Sequence, residues 1–400
     1  MRLLFITLLD FNTFNESNIY TDLLREFIRN GHDVYCISPV ERRRGIRTHF
    51  EEDGHLLKLK IGNIQKTNII EKGFSTLTVE RKFISAIKKY FSDIKFDLIL
   101  YSTPPITFAN VVKFVKKRDG AKTYLMLKDI FPQNAVDIGM IQTTGIRGLI
   151  YRYFRKKEKK LYEFSDYIGC MSQGNVEYVL RHNPEIDKSK VEVCPNCIDV
   201  CDVYLTVQEK IALRDKYGIP QGKKVFVYGG NLGRPQDVKF IVKCLRACST
   251  LDGIYFVIAG SGTDRYRLEK YMREENPSHV KLLSHLPREE YDRMIACCDV
   301  GLIFLDHRFT IPNFPSRLLS YMQAGLPVLA CTDRNTDVGK VIVDGGFGWW
   351  CESDDTKSFL ALISEIQEKY ISEYKENAWQ YLNRFYDVRE VYLKCFEHLL

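Results

Sequence analysis

Short apolar segments that are typical of buried strands alternate with amphipathic helical segments along both halves of the chain. In the first half, RLLFITLL (2–9) precedes the helical period of NIYTDLLREFIRNGH. In the second half, KVFVYGG precedes the helical pattern of DVKFIVKCLRACST. Strands that alternate with helices favour parallel sheets covered by helices on both faces, so the pattern predicts an α/β fold with doubly wound sheets.

The chain has 400 residues, which is more than one ordinary hydrophobic core accommodates, so two domains are expected. The polar, charge-mixed stretch 201–222 interrupts the alternation and predicts a linker. We therefore expect a Rossmann-like domain over 1–200, a second over 223–370, and a helical segment over 371–400 that returns to the first domain. Ligands of open parallel sheets bind beyond the carboxyl ends of the strands, so the expected site is a cleft between the two domains.

Composition excludes several classes of protein. With 45% hydrophobic and 27% charged residues, the chain is typical of a globular protein. It has no apolar run of membrane-spanning length, and its first residues lack a signal-peptide cleavage site, so we interpret them as the first strand. The 12 cysteines are scattered, and many lie in apolar segments, as expected of reduced thiols in the cytoplasm. One CPNC pair, Cys194 and Cys197, is a weak zinc signal, and we expect no metal site.

Three strand-to-helix loops in the second half suit a phosphate-bearing ligand. YGGNLGRPQ (228–236) and IAGSGTD (258–264) expose glycine backbone directly after a strand. IPNFPSRLLS (311–320) begins a helix at Pro315-Ser316, with Ser316 as the expected N-cap residue. Glycine amides and helix N-termini bind anions, although each loop alone also fits an ordinary turn. Three such loops in one half favour a diphosphate ligand.

These segments, together with VKLLSHLPREEYDRMIACCDVGLIFL and VIVDGGFGWW in the same order, resemble the retaining, nucleotide-sugar-dependent glycosyltransferases of family 4, which have the GT-B fold. The pair LKDIFPQNAVDIGMI and PSRLLSYMQAGLPV is most similar to the subgroup that adds amino sugars and related hexoses in capsule and O-antigen assembly. The resemblance implies transfer of a hexose or N-acetylhexosamine from a nucleoside diphosphate sugar, with UDP as the expected nucleotide. The expected acceptor is a lipid-linked saccharide, the anomeric configuration is retained, and neither a metal nor a cofactor is needed.

The resemblance also assigns residues, with departures from the family pattern. The two glutamates of the family's Glu-x7-Glu motif, which contact the sugar and the ribose, fall on Pro312 and Ser320. The family's basic pair falls on Asn231 and Gln236, and its histidine falls near Lys128-Asp129. The implied catalytic residues are Asp129, Arg234 and Arg317, and the amides of Gly229, Gly230 and Ser316 would help to stabilise the leaving diphosphate. The implied donor-binding residues are Gly229, Gly230, Asn231, Gly233, Gly260, Ser261, Gly262, Leu286, Asn313, Phe314, Pro315, Ser316 and Ser320.

Basic clusters at 41–47 and 147–164 give the net charge of +7 an uneven distribution. The second cluster places lysines and arginines beside Tyr153 and Phe154 at helical spacing, as in helices that lie in a membrane interface. We therefore expect a cytoplasmic protein, peripheral on the inner face of the cell membrane. The alternative is a solvated helix whose aromatic residues pack on the sheet. No nucleic acid partner is expected, because the clusters lack stacking aromatics at repeated spacing.

Two other functions fit the same fold. A nucleotide-sugar epimerase would need acid and base groups at the site, where this chain has Pro312, Ser320 and Lys128. A non-catalytic GT-B partner subunit would account for the missing glutamates. Release of nucleoside diphosphate in the presence of an acceptor distinguishes a transferase from both.

Overall fold

The computed structural model describes residues 1–64, 69–145, 147–203, 205–396 and 399, and for 69–77 it describes the backbone alone. The chain folds into two compact units. Unit 1 comprises Met1–Asp199 with Val388–Leu400, and unit 2 comprises Val200–Asp387.

The strands within the described residues are β1 (Arg2–Ile6), β2 (Asp33–Glu41), β3 (His49–Glu51), β4 (Leu56–Ile61), β5 (Leu98–Ser102), β6 (Lys122–Leu127), β7 (Tyr167–Cys170), β8 (Val191–Val193), β9 (Lys224–Asn231), β10 (Ile254–Ser261), β11 (Val280–Leu283), β12 (Val300–Phe304), β13 (Val328–Thr332) and β14 (Gly348–Glu352). The helices are α1 (Thr21–Arg29), α2 (Ile69–Tyr90), α3 (Ala109–Asp119), α4 (Gln133–Asp137), α5 (Gly148–Phe164), α6 (Gln173–His182), α7 (Val207–Tyr217), α8 (Val238–Ala247), α9 (Arg265–Glu275), α10 (Arg288–Ala296), α11 (Arg317–Gln323), α12 (Val338–Asp344), α13 (Thr356–Glu368), α14 (Ser372–Phe385) and α15 (Val388–Cys395).

Unit 1 contains an eight-stranded sheet in the order β3-β4-β2-β1-β5-β6-β7-β8. Its neighbouring strands are parallel, apart from the antiparallel pair β3 and β4. Its central strands are almost wholly buried, as the continuous apolar run in 2–9 predicts for strands covered on both faces. The predicted doubly wound α/β architecture is confirmed for this half.

Unit 2 contains a six-stranded parallel sheet in the order β11-β10-β9-β12-β13-β14. From β9 the chain first builds outward through β10 to β11, and then returns to add β12 on the other side of β9. The strand order therefore reverses between β9 and β12. In sheets of this kind, ligands bind outside the carboxyl ends of the strands at such a switch point. The residues that follow β9 and β12 are therefore expected to form the ligand site.

The expected linker forms part of unit 2. Helix α7 lies inside 201–222, and Thr206 and Glu209 close a capping box at its start. Lys210 and Arg214 of this helix form ion pairs with Asp299, at 2.8 and 2.7 Å. The stretch resembles a connection in the sequence because its residues are mostly polar, and the residue with which Arg214 pairs lies 85 positions further along the chain.

The C-terminal segment also differs from the expectation for 371–400, because its two helices belong to different units. In unit 2, Tyr374 of α14 stacks on Trp349 with ring centroids 4.5 Å apart. In unit 1, α15 carries Tyr392, whose ring meets Phe27 edge-on at 5.1 Å. The division follows from these aromatic contacts, which bury the two helices against different cores.

Candidate functional site

The carboxyl ends of β9 and β10 approach each other so closely that only glycine fits. Gly260 lies beside Gly230 in the strand register, and a Cβ at Gly260 would overlap the Gly230 carbonyl oxygen. Gly262 has a φ of +158° and its Cβ would overlap the backbone of Leu232. Gly230 has a φ of +122°, a conformation that other residues rarely adopt. The two glycine loops therefore lie side by side as one surface of exposed backbone.

Arg317, the first residue of α11, faces this surface. Its guanidinium lies over the ring of Tyr228, 4.5 Å from the ring centroid. A Cβ placed on Gly230 would be 3.4 Å from Arg317 Nη2. The Nη1 atom is buried without a hydrogen-bond partner, and Arg317 forms no ion pair with any residue that the structure describes. A half-buried cation without an anionic partner is costly, and an anion bound beside Gly230 would supply that partner.

Two tyrosines hold this end of α11 against the sheet. The Tyr321 hydroxyl accepts a hydrogen bond from the Gly229 N–H and donates one to the Leu302 carbonyl oxygen, both at 3.1 Å. Tyr291 fills the space beside Gly229 that a Cβ would need. Burial raises the pKa of Tyr321 to about 12, so its hydroxyl stays protonated near neutral pH. The Gly229 amide is thus already paired, which corrects the expectation that it would bind the diphosphate.

The loop after β9 is shaped by the residues that replace the family's basic pair. Asn231 Nδ2 donates to Gln236 Oε1 at 2.9 Å, and the Gly233 N–H donates to the same oxygen at 3.3 Å. Arg234 opens the following 3₁₀ turn and is exposed. Its side chain has no hydrogen bond or ion pair to any described residue. Asn231 and Gln236 therefore order the loop, and Arg234 is its available cation.

The start of α11 differs in detail from the sequence interpretation. Ser316 occupies the N-cap position, but its side chain makes no capping hydrogen bond. Upstream, the Asn313 N–H donates to Thr336 Oγ1 at 3.1 Å, and Phe314 is buried against Tyr386. Pro315 lies between these anchors and the helix. The segment thus holds Arg317 in place, and Ser316 is left exposed.

The position of the family's second glutamate has a partner that sequence reasoning missed. Ser320 Oγ accepts a hydrogen bond of 3.4 Å from Arg288 Nη2. Arg288 is the first residue of α10, a few residues after Leu286 in the connection from β11, and its Nε donates to Asp292 at 2.6 Å. In the sequence, the motif PREEYDR shows that basic residues follow the carboxyl end of a strand, which is where a ligand site is expected. Without the fold, nothing connects it to Ser320.

Asp129 follows β6 in unit 1, whereas the other candidate residues lie in unit 2. Both of its carboxylate oxygens accept from Asn134 Nδ2, at 2.7 and 2.8 Å. Burial raises the pKa of Asp129 to about 6, partly opposed by the Asn134 hydrogen bonds. Its neighbour Lys128 donates to the Pro195 carbonyl oxygen at 3.3 Å. A carboxyl group with this pKa exchanges its proton near neutral pH, as groups at functional sites often do.

The described residues contain no group of three or more His, Cys, Asp or Glu side chains suited to a metal ion. Cys194 and Cys197, the one weak zinc signal, are buried in the core of unit 1.

Comparison with known proteins agrees with this architecture. The family model for glycosyl transferases group 1 matches residues 209–381, and the model for glycosyltransferase family 4 matches 17–201. A probable glycosyltransferase, WbjE, of Pseudomonas aeruginosa is 24% identical over 315 residues, which cover 78% of this chain and 76% of that protein. N-acetylgalactosamine-N,N'-diacetylbacillosaminyl-diphospho-undecaprenol 4-alpha-N-acetylgalactosaminyltransferase of Campylobacter jejuni is 22% identical over 271 residues, which cover 67% of this chain and 68% of that protein.

Among solved structures, Anabaena Alr3699/HepE in complex with UDP superposes with a TM-score of 0.70 at 14% identity, covering 100% of this chain and 99% of that chain. This likeness shows the fold. Taken with the two family models and the relatives, it identifies the chain as a glycosyltransferase of the GT-B type.

Proposed function

We propose that the protein transfers a hexose or N-acetylhexosamine from a UDP-sugar to a lipid-linked saccharide, with retention, in the assembly of a capsule or O-antigen. The observation that carries the proposal is the half-buried Arg317 side chain, whose guanidinium faces the glycine loops without an anionic partner among the described residues and whose Nη1 atom is buried without a hydrogen bond. Two comparisons support it. The Anabaena protein is described in complex with UDP, and the Campylobacter relative is named for a diphospho-undecaprenol substrate.

In this proposal, Arg317 and Arg234 neutralise the diphosphate of the donor. Negative charge collects on the diphosphate as its bond to the sugar breaks, so cations already in position stabilise the transition state more than the ground state. Arg317 is held by its stacking on Tyr228, whereas Arg234 is exposed on the loop after β9. Removal of one such preorganised donor typically lowers the rate by about 10²–10³.

The absent glutamates require another arrangement for the ribose and the sugar. Ser320 offers one hydroxyl where the family pattern has a carboxylate that accepts two hydrogen bonds. Arg288, which donates to Ser320, adds guanidinium donors to which ribose hydroxyls can hydrogen-bond. We propose that this pair replaces the ribose contact, and that Asp129 contributes the carboxyl group that contacts the sugar or the acceptor.

We also propose that the protein binds an anionic membrane surface through α5. Leu149 and Ile150 are 57% and 54% exposed, and Tyr153 is 41% exposed. Arg152 and Lys156 are exposed on the same helix. An exposed apolar and basic surface of this kind is typical of helices that lie in the membrane interface. No described helix is both long enough and apolar enough to span a bilayer.

Some of the basic residues of α5 form ion pairs within the protein, and others are exposed and could contact a membrane surface. Lys157 forms an ion pair with Glu80 at 3.2 Å, and Lys159 forms one with Glu185 at 2.9 Å. Lys156 and Lys160 are exposed and form no ion pair with described residues. Phe154 packs edge-on against Phe131 at 5.0 Å, so the membrane surface we propose is the one formed by Leu149, Ile150 and Tyr153.

Sedimentation with vesicles tests the membrane proposal with a matched control. The double variant Lys156→Gln/Lys160→Gln should lose most of its binding to anionic vesicles at low salt, because each basic residue near the surface contributes about 1 kcal/mol. The double variant Lys157→Gln/Lys159→Gln removes the same charge from paired positions and should bind almost as well as the wild type. Absence of binding at low salt, or equal losses in the two variants, would refute a membrane surface on α5.

The transfer reaction is tested in two steps. Thermal shift with a panel of nucleotide sugars identifies the donor, since a ligand at a hundred times its Kd stabilises by about 2.7 kcal/mol. The donor is then incubated with and without lipid-linked saccharides, and the linkage of the product is determined by NMR. Acceptor-dependent release of UDP with an unchanged anomeric configuration is the expected result. Formation of an epimer without acceptor, or binding without turnover, would replace the proposal with one of the two alternatives.

A further inference from the structure

A cavity lies in unit 2 at the amino-terminal ends of its strands, at the other end of the sheet from the glycine loops. It has a volume of about 600 Å³ and is lined by residues at the amino-terminal ends of β9, β10 and β12, by α7, and by the connection from α13 to α14. The eight residues of β9 separate this end from the glycine loops by about 23 Å at the usual rise of a strand. The cavity is therefore distinct from the donor site.

Positive charge dominates the lining of this cavity. Its basic residues are Lys210, Arg214, Lys223, Lys224, Lys369 and Lys375, and its acidic residues are Asp299 and Glu368. Asp299 is already bound by Lys210 and Arg214. Its carboxylate pairs with these two cations, and Lys369 forms an ion pair with Glu365 at 2.8 Å. Lys223, Lys224 and Lys375 then outnumber the remaining acidic residue, Glu368, so the cavity keeps an excess of positive charge.

Lys375 is a cation of this cavity that no described residue pairs with directly. It lies in the first turn of α14 and is half-buried. Its ammonium group has no hydrogen bond or ion pair to any residue within the described ranges. Burial, and then the nearby charge of Lys210, lower the pKa of Lys375. No side chain caps the start of α14, where Ser372 also lines the cavity, so the positive end of the helix dipole adds to the same field.

The rim of the cavity is apolar. Tyr370 is 88% exposed and Val207 is 69% exposed, and Ile211 beside them is 44% exposed. A ligand whose anionic group lies beside Lys375 would place its remaining part against these side chains. The arrangement fits a molecule with a compact anion at one end and a ring or an acyl chain at the other.

We propose that this cavity binds the phosphate group of a phosphorylated ligand, with Lys375 as its principal charge partner. Phosphate matches a site with several lysines because each ammonium acts as a point charge that accepts any approach direction. Such a ligand has two possible sources, a soluble phosphorylated metabolite and the headgroup of an anionic phospholipid. The proposal does not depend on the glycosyl transfer reaction.

Protection of Lys375 from an amine-acylating reagent tests the proposal at the level of the residue. The full-length protein is labelled near neutral pH with and without inorganic pyrophosphate, and the labelling rate of each lysine is read by mass spectrometry. Pyrophosphate at ten times its Kd should slow the labelling of Lys375 about tenfold by mass action. Lys340, an exposed lysine on α12 of the same unit, serves as the matched control and should be unaffected.

Further measurements identify the source and exclude the donor site. The labelling of Lys375 is compared in the presence of vesicles that contain phosphatidylglycerol and of vesicles of phosphatidylcholine. If the phosphatidylglycerol vesicles slow the labelling and the phosphatidylcholine vesicles do not, the site binds a lipid headgroup. Protection by pyrophosphate in the variant Arg317→Met, whose donor site is impaired, shows that the site is separate. By calorimetry on the Arg317→Met background, adding Lys375→Gln should weaken the remaining pyrophosphate binding at least tenfold. Unchanged labelling of Lys375 with pyrophosphate and with both vesicles would overturn the proposal.

Discussion

Arg317→Met distinguishes the contribution of the half-buried Arg317 guanidinium to ligand binding from its effect on the stability of the fold. Methionine is unbranched and of similar length, so it can occupy the space beside Tyr228 without leaving the cavity that alanine would leave. In the wild type, the unsatisfied Nη1 atom costs about 1–3 kcal/mol, and the cation–π contact at 4.5 Å returns about 0.5–2 kcal/mol. These contributions have opposite signs, so we expect the unliganded stability to change by less than about 2 kcal/mol.

Binding of UDP should change far more than stability does. A charge-assisted contact with a phosphate contributes about 1.5–3 kcal/mol, so loss of Arg317 should raise the Kd for UDP about 10- to 150-fold. Isothermal titration calorimetry measures the affinity, and urea denaturation without ligand measures the stability. The expected signature is a large loss of affinity in a protein that remains folded.

Arg267 provides a matched control in the same unit. It also lies over a tyrosine, with its guanidinium 4.9 Å from the ring centroid of Tyr266, and its Nε is also buried without a partner. It lines a separate cavity with Lys239 and Tyr271. Arg267→Met should therefore bind UDP within about twofold of the wild type. If Arg317→Met keeps the wild-type affinity, or if both variants lose it equally, the assignment of Arg317 to the diphosphate is wrong.

Three further predictions concern Asp129, the glycine loops and metal dependence. The pKa of Asp129 is about 6 in the folded protein and 3.8 ordinarily, so the wild type loses stability as the pH rises from about 4 to 6. Asp129→Asn lacks this titration, and its free energy of unfolding should therefore rise by up to about 3 kcal/mol relative to the wild type over this window. Urea denaturation at pH 4, 6 and 8 measures this gain, and a pH-independent difference would contradict the burial of the carboxyl group. Gly260→Ala should lower the free energy of unfolding by about 1–3 kcal/mol, because its Cβ would overlap the Gly230 carbonyl oxygen. The neighbouring variant Ser261→Ala is the control and should change thermal stability little. Equal effects of the two variants would count against the close approach of β9 and β10. Turnover should survive exhaustive chelation, since Arg234 and Arg317 supply the positive charge, and a loss that magnesium or manganese restores would disprove metal independence.

Local patterns predicted the α/β class because strand and helix periodicity reflect which face of each segment is buried. The alternation that begins with 2–9 and resumes with KVFVYGG predicted parallel sheets in both halves, and the structure contains them. The glycine loops after β9 and β10 were also predictable, since a loop that turns from a strand into a helix shows its glycines in the sequence. The sequence predicted a helical segment over 371–400, but periodicity does not say which core receives an apolar face. The division of the C-terminal helices between the two units therefore needed the structure.

The amino-acid sequence by itself determined the element types, the glycine-rich strand ends and the cations available beside them. Tertiary structure alone decided which of these meet. It placed β12 beside β9 and so created the switch point, it paired the Gly229 amide with Tyr321, and it brought Arg288 to Ser320. It also left Arg317 and Lys375 without an ion pair to any described residue. The physical reason is that hydrogen bonds and ion pairs between residues far apart in the chain depend on how whole elements pack, whereas periodicity and turn chemistry depend only on near neighbours.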